Sequence, residues 1–193
     1  MPKPSHRNKI LTEGLNVLLA RGYFGASVRD IVKAAGVPQG SFTNHFSSKE
    51  AFAEEVLELY FAQGRHSMDK TLLNDSRPPL HRLRQWIDLQ IAYLRQTEFR
   101  CGCLIGNFSV EASDDSERIR ERLTEMVKKI IESIVYCLQA AVDAGELPES
   151  TDVRELGSFL YSSWQGAILQ SKVEQSVQPL KRFKDILFTR ILR

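Results

Sequence analysis

Seven apolar residues near the middle of the chain restrict its fold more than any other feature. Leu123, Val127, Ile130, Ile131, Ile134, Leu138 and Ala141 fall on one narrow stripe at helical spacing, and Gly145 and Pro148 close the segment. The same period recurs elsewhere, and no stretch shows the alternation of a half-buried strand. The chain therefore reads as all-α, with about nine helices. Ile10, Leu11, Leu15, Leu18 and Leu19 predict a first helix that stops at Gly22. Ser27 with Asp30 predicts a capped second helix ending at Gly36. A short helix is expected from about Gln39 to Phe46 after Pro38, and Ser47 with Glu50 reads as a capping box for the longer helix that follows. The run NDSRPP, residues 74–79, breaks the pattern. Helices resume around Trp86, around Phe108, from Asp152 through Trp164, and from Pro179 to the end.

A chain of 193 residues with 42% hydrophobic and 26% charged content belongs to the soluble globular class, able to bury about two thirds of its unfolded surface. The amino terminus leads to no small-residue cleavage site, and no apolar run approaches a membrane span. The expectation is a cytoplasmic protein without a membrane partner, whose Cys101, Cys103 and Cys137 are thiols rather than disulfide halves. Charge is uneven. The first fifty residues hold seven Lys and Arg against three Asp and Glu, while the remainder hold 19 against 21. A basic head on a near-neutral body suits a polyanion, although an ordinary solvated surface gives the same count.

The stretch PQGSFTNHF, residues 38–46, turns this into a function. Phe42 and Phe46 are four apart and must face inward on a short helix. Gly40, Ser41 and Asn44 then lie outward, with Thr43 and His45 on the flanks and Gln39 at the exposed end. Small polar groups around a glycine can approach another surface closely and hydrogen-bond to it. Two helices joined by a tight turn, the second short and polar outward, form the helix-turn-helix arrangement that reads a DNA major groove. Gln39, Ser41, Thr43 and Asn44 are base-reading types; Lys49, Arg29, Ser27, Arg7 and Lys9 suit phosphates. A plain helical hairpin with a polar face is the competing structure.

The segment GASVRDIVKAAGVPQGSFTNHFSSKEAF resembles the DNA-binding region of TetR-family transcriptional regulators, matching the arrangement G-V-x-x-G-S-F-x-x-H/Y-F-x-S-K-E-x-F over 28 consecutive residues. The resemblance implies a helix-turn-helix domain over 1–48 and a helical effector-binding and dimerisation domain over 49–193. It makes Ser27 and Lys49 phosphate contacts and places Gln39, Gly40, Ser41, Thr43 and Asn44 against DNA, with Val28, Arg29 and His45 completing the candidate set. Thr43 stands where the family usually has tyrosine, and His45 where tyrosine is common. The resemblance also implies a homodimer on a near-palindromic operator, released by a small-molecule effector, with Phe159, Leu160, Phe183 and Leu187 at the dimer interface.

Two further stretches, RCGCLIGNFSVEA (100–112) and SSWQGAILQSKVEQS (162–176), are similar to those of family members that respond to acrylate or reactive electrophiles. They single out Cys103 and Lys172, with Trp164, Trp86, Phe108 and Asn107 as candidates for an effector site. A thiol beside a helix amino terminus can become a nucleophile toward a quinone, aldehyde or maleimide. Trp164, Ile168 and Lys172 share one row, so Lys172 could approach Cys103 if their helices pack. The alternatives are a small buried hydrophobe at Cys103, or a pocket that binds its ligand without a bond. No cofactor or metal is expected, because C-x-C with scattered histidines lacks zinc-ligand spacing. A thiol enzyme built on Cys103 lacks a base in triad position, a phosphate loop and a dinucleotide fingerprint. A helical interaction module that does not bind DNA is the other rival, and it leaves the small-residue face at 39–45 without a purpose.

Overall fold

The computed structural model describes residues 6–112 and 114–193. Among them every regular element is helical: α1 (His6–Gly25), α2 (Val28–Ala35), α3 (Gly40–Thr43), α4 (Lys49–Lys70), α5 (Pro79–Gln96), α6 (Leu104–Glu111), α7 (Glu117–Asp143), α8 (Val153–Glu174) and α9 (Gln178–Ile186), with a wide π turn over Leu187–Ile191. The all-α expectation holds. No helix of the described residues is long and apolar enough to cross a membrane. The chain divides into two compact units, one gathering Met1–Gln63 with Cys103–Glu125, the other Gly64–Gly102 with Met126–Arg193.

In the first unit, α1 buries Ile10, Leu15, Leu18 and Leu19. Its backbone leaves helical geometry at Gly22 (φ 74°, ψ 178°), the stop expected from sequence, before one more turn reaches Gly25. The Asp30 amide donates to Ser27 Oγ at 3.1 Å, and the Ser27 amide donates to Asp30 Oδ2 at 3.0 Å. This reciprocal cap starts α2 where the residue pattern placed it. Gly36, left-handed at φ 60°, closes it by donating to the Lys33 and Val32 carbonyls.

α3 is shorter than the spacing predicts, one turn over Gly40–Thr43 instead of a helix from 39 to 46. The Phe46 amide still donates to the Phe42 carbonyl at 2.9 Å, which brings both rings inward. Phe42, Phe46 and Phe52 form a cluster with centroids 5.0–5.2 Å apart. Each such ring contributes about 1.5–3 kcal/mol by burial, with about 0.5–1.5 kcal/mol more for each well-placed pair. That packing holds a turn too short to persist alone. α4 begins one residue later than the expected box. Ser48, not Ser47, accepts the Ala51 amide at 3.0 Å, and Glu50 takes the Ser116 hydroxyl instead of closing the cap.

In the second unit, α5 buries Leu83, Trp86, Ile87, Ile91 and Leu94. The α7 stripe is inward at Ile134, Leu138 and Ala141, joined by Met126 and Cys137, while Val127, Ile130 and Ile131 are half-buried. Asp152 caps α8, accepting the Arg154 and Glu155 amides at 3.1 Å each. A Cβ on Gly157 would meet Val135 Cγ2 at 2.6 Å, so only glycine allows α8 to lie this close to α7. α9, with Pro179 in its first turn, packs on α8 and α5.

Candidate nucleic-acid interface

The surface around α3 consists of the residues that its buried phenylalanines leave outside. Gln39, Gly40, Thr43, Asn44 and His45 are exposed. A Cβ built on Gly40 meets nothing within 4 Å, so this point of the helix is open to close approach. Thr43 Oγ1 donates to the Gly40 carbonyl at 3.1 Å. Its hydroxyl proton is thus used, which leaves the oxygen as an acceptor and the methyl as a group suited to a thymine methyl. Asn44 offers both a donor and an acceptor, the pairing that adenine takes in the major groove.

Ser41 requires a correction. The sequence placed it outward, but it is buried, with its hydroxyl 3.2 Å from His6 Nδ1. It lies one residue, or 100° around the helix, from Phe42, and the start of α1 covers that flank. Ser41 ties α3 to α1.

Around this face stand the cations. Arg29 and Lys33 on α2 are exposed, as is Lys9 of α1, whose Nζ would lie 3.5 Å from a Cβ on Gly36 and so sits at the turn between α2 and α3. Ser27 is exposed at the head of α2 and Val28 is half-buried beside it. Arg7, expected at phosphate, is engaged otherwise: it pairs with Glu55 and lies 5.5 Å over the Phe46 ring. Lys49 is half-buried, and its Nζ donates to the Tyr23 carbonyl at 2.5 Å.

The effector candidates divide between the two units. Cys103, Asn107 and Phe108 belong to the first. Cys103 is half-buried at the cap position of α6, and the Tyr60 hydroxyl donates to its Sγ at 3.8 Å. Phe108 is fully buried with its ring 5.4 Å from Tyr23, and Asn107 is half-buried. Trp86, Trp164 and Lys172 belong to the second unit. Both tryptophans are buried, Trp164 against Phe183 at 5.2 Å, and Lys172 is half-buried. Tyr60 was not singled out by sequence, because its link to Cys103 spans 43 residues and no local spacing announces it.

Two interface candidates also need correction. Leu160 and Leu187 are 3% and 1% exposed, turned into their own chain. The apolar residues that α8 leaves outside are Phe159, Leu169 and Val173, with Gly166 on the same face, and α9 adds Ile186. Phe183 is half-buried. The strongest apolar period of α8 marks its inward face, so the outward one was missed. No group of three or more His, Cys, Asp and Glu side chains placed to hold a metal occurs among the described residues.

Comparison with known proteins agrees with this geometry. Residues 10–56 match the family described as bacterial regulatory proteins, tetR family, and residues 79–187 match the tetracyclin repressor-like C-terminal domain. The HTH-type transcriptional repressor DhaR of Mycobacterium sp. strain GP1 is 38% identical over 192 residues, covering 100% of this chain and 95% of DhaR. A regulatory protein TetR from Rhodobacter sphaeroides superposes with a TM-score of 0.88 at 30% identity, over 92% of this chain and 94% of that one. A cysteine mutant of the TetR-family regulator CifR, solved with 26bp double-strand operator DNA, gives a TM-score of 0.82 at 25% identity, over 98% of each chain.

Proposed function

The chain belongs to the TetR family of bacterial regulatory proteins and is a DNA-binding transcriptional repressor rather than an enzyme; from that premise we propose how it reads and leaves its operator. The DNA-binding head is residues 1–48. Asn44, Gln39 and Thr43 read base edges, Gly40 lets the backbone approach, and Ser27, Arg29 and His45 contact the rim, with Val28 packing beneath them. Ser41 and Lys49 act by holding the head in shape. The observation that carries this reading is the exposed small-residue face of α3 over its buried phenylalanines.

The protein works in the cytoplasm as a homodimer on a near-palindromic operator and is released when a small molecule binds the body, residues 49–193. Release follows from a ligand's preference for a conformation whose two heads no longer match the half-site spacing. Cys103 is the proposed sensing residue, since it stands at the N-cap position of α6 with its thiol half-buried and receiving the Tyr60 hydroxyl. Asn107 and Phe108 of α6 frame it; Trp86, Trp164 and Lys172 are proposed as effector contacts within the second unit.

The test is a fluorescence-anisotropy titration of reduced protein onto a duplex from upstream of its own gene. Asn44→Ala should weaken binding by about 1–3 kcal/mol, the value of one good base contact. Affinity should also fall steeply with salt. One equivalent of N-ethylmaleimide should release wild type but not Cys103→Ser. Equal loss in both would move sensing away from Cys103, and binding indifferent to Asn44→Ala would remove α3 as the reading element.

A further inference from the structure

A single peptide unit in the last turn of α1, past the kink at Gly22, is gripped on both edges. Lys49, in the first turn of α4, donates to the Tyr23 carbonyl at 2.5 Å. Glu111, the last residue of α6, accepts the Phe24 amide at 3.2 Å through Oε2. That carbonyl and that amide belong to the same planar group, so a cation and an anion fix one rigid plate from opposite sides. Charge-assisted hydrogen bonds are the stronger kind.

The surroundings fit the grip. Gly22 turns through φ 74°, and a Cβ built there would run into the Glu111 carboxylate, so the glycine provides the notch that the carboxylate fills. The Lys49 ammonium lies 4.6 Å from the centre of the Tyr23 ring. Burial lowers the pKa of Lys49, and the Glu111 charge opposes that shift. All of these groups belong to the first unit. Ser27, the cap of α2, follows the gripped peptide by three residues, so the tilt of that plate sets the course of α2 and of α3 after it.

We propose that Glu111 is a positioning residue for operator binding: with Lys49 it clamps the Tyr23–Phe24 peptide and so fixes the angle at which α1 hands the chain to the helix-turn-helix. Neither residue need touch DNA for this. The inference rests on the DNA-binding reading above.

Two measurements test it on the full chain. Hydrogen exchange at the Phe24 amide, followed by NMR without DNA, reads the clamp itself; anisotropy titration onto the upstream duplex at several salt concentrations reads its consequence. For Glu111→Ala the Phe24 amide should exchange about tenfold faster, the loss of one charge-assisted hydrogen bond. Operator affinity should fall about five- to tenfold with an unchanged salt slope, since the same phosphates are still neutralised. Glu111→Gln keeps an acceptor oxygen and should recover most of both. Should Glu111→Ala fail to fold, Lys49→Met frees the other edge and is read in the same way. Exchange or affinity within twofold of wild type overturns the proposal, and so does a salt slope changed by about 0.9, the mark of one phosphate no longer neutralised. Wild-type protein that binds no duplex would sink the DNA-binding reading together with this inference; wild-type binding that ignores Glu111→Ala sinks the inference alone.

Discussion

At the scale of single residues the three thiols are not equivalent, and their surroundings rank them. Cys137 is fully buried on α7, its Sγ donating to the Pro79 carbonyl at 3.2 Å. Burial pushes its thiol from the ordinary 9.0 up to about 11, against a smaller opposing effect of the Arg82 charge. The thiolate is the nucleophile, so Cys137 should be inert in the native protein. Cys101 and Cys103 are half-buried. N-ethylmaleimide at a pH of about 8, followed by peptide mass spectrometry, should therefore label Cys101 or Cys103 first and reach Cys137 only as the chain unfolds. Early label on Cys137 would contradict its burial. Because folding raises this pKa, the neutral buried thiol adds stability that is fully present below pH 9.0 and lost as the pH rises toward about 11.

At the scale of elements, the turn between α4 and α5 shows what the residue pattern could and could not reveal. Its break at NDSRPP is plain from composition. The closure behind that break is not. Arg82, 4% exposed, donates to Asp75 Oδ1 at 2.5 Å and to the Leu72 carbonyl at 3.4 Å, while the Tyr136 hydroxyl donates to Asp75 Oδ2 at 2.8 Å. The Tyr136 hydroxyl, and then Arg82, hold the Asp75 carboxyl below its ordinary 3.8. A carboxyl depressed on folding adds stability that is present above pH 3.8 and drains away as the pH falls through the folded-state value. Asp75→Ala leaves a buried guanidinium unpaired, whereas Arg82→Met removes the buried charge altogether, so Asp75→Ala should lower Tm more, and it should flatten the acid limb of the stability curve. The opposite order in calorimetry would show that the pair is not what closes the turn. Helix stops at Gly22, Gly36 and Gly145, the Ser27 cap and the inward phenylalanines were legible because each is a local pattern within one or two turns. The links Tyr136–Asp75, Glu111–Phe24 and Tyr60–Cys103 join residues 61, 87 and 43 positions apart, and only packing brings them together. Ser41 was misplaced for a related reason: a one-turn helix has flanks, and which flank is covered depends on α1.

At the scale of the whole molecule, the exposed apolar face of α8 sets the proposed assembly. Phe159, Leu169 and Val173 are 51%, 65% and 77% exposed, with Gly166 among them where a small residue permits close approach. Burying each such side chain is worth about 1.5–3 kcal/mol. A two-fold interface buries every one twice. That burial opposes the cost of association. The proposed dimer would matter for function because two joined heads on a palindromic site would bind with an avidity about 10²–10⁴ beyond one head alone, provided that they reach successive major grooves about 34 Å apart. The double variant Leu169→Glu with Val173→Glu puts like charges across the two-fold axis without touching the interior of its own chain. Sedimentation at micromolar concentration should show a monomer with a retained helical spectrum, and affinity for the full operator should fall by about two orders of magnitude or more toward that for an isolated half-site. A variant that sediments as a dimer would move the interface off this face of α8. A monomer that still binds the full operator at wild-type strength would mean that each head reads its site alone, and that release by an effector cannot work through the spacing between two heads.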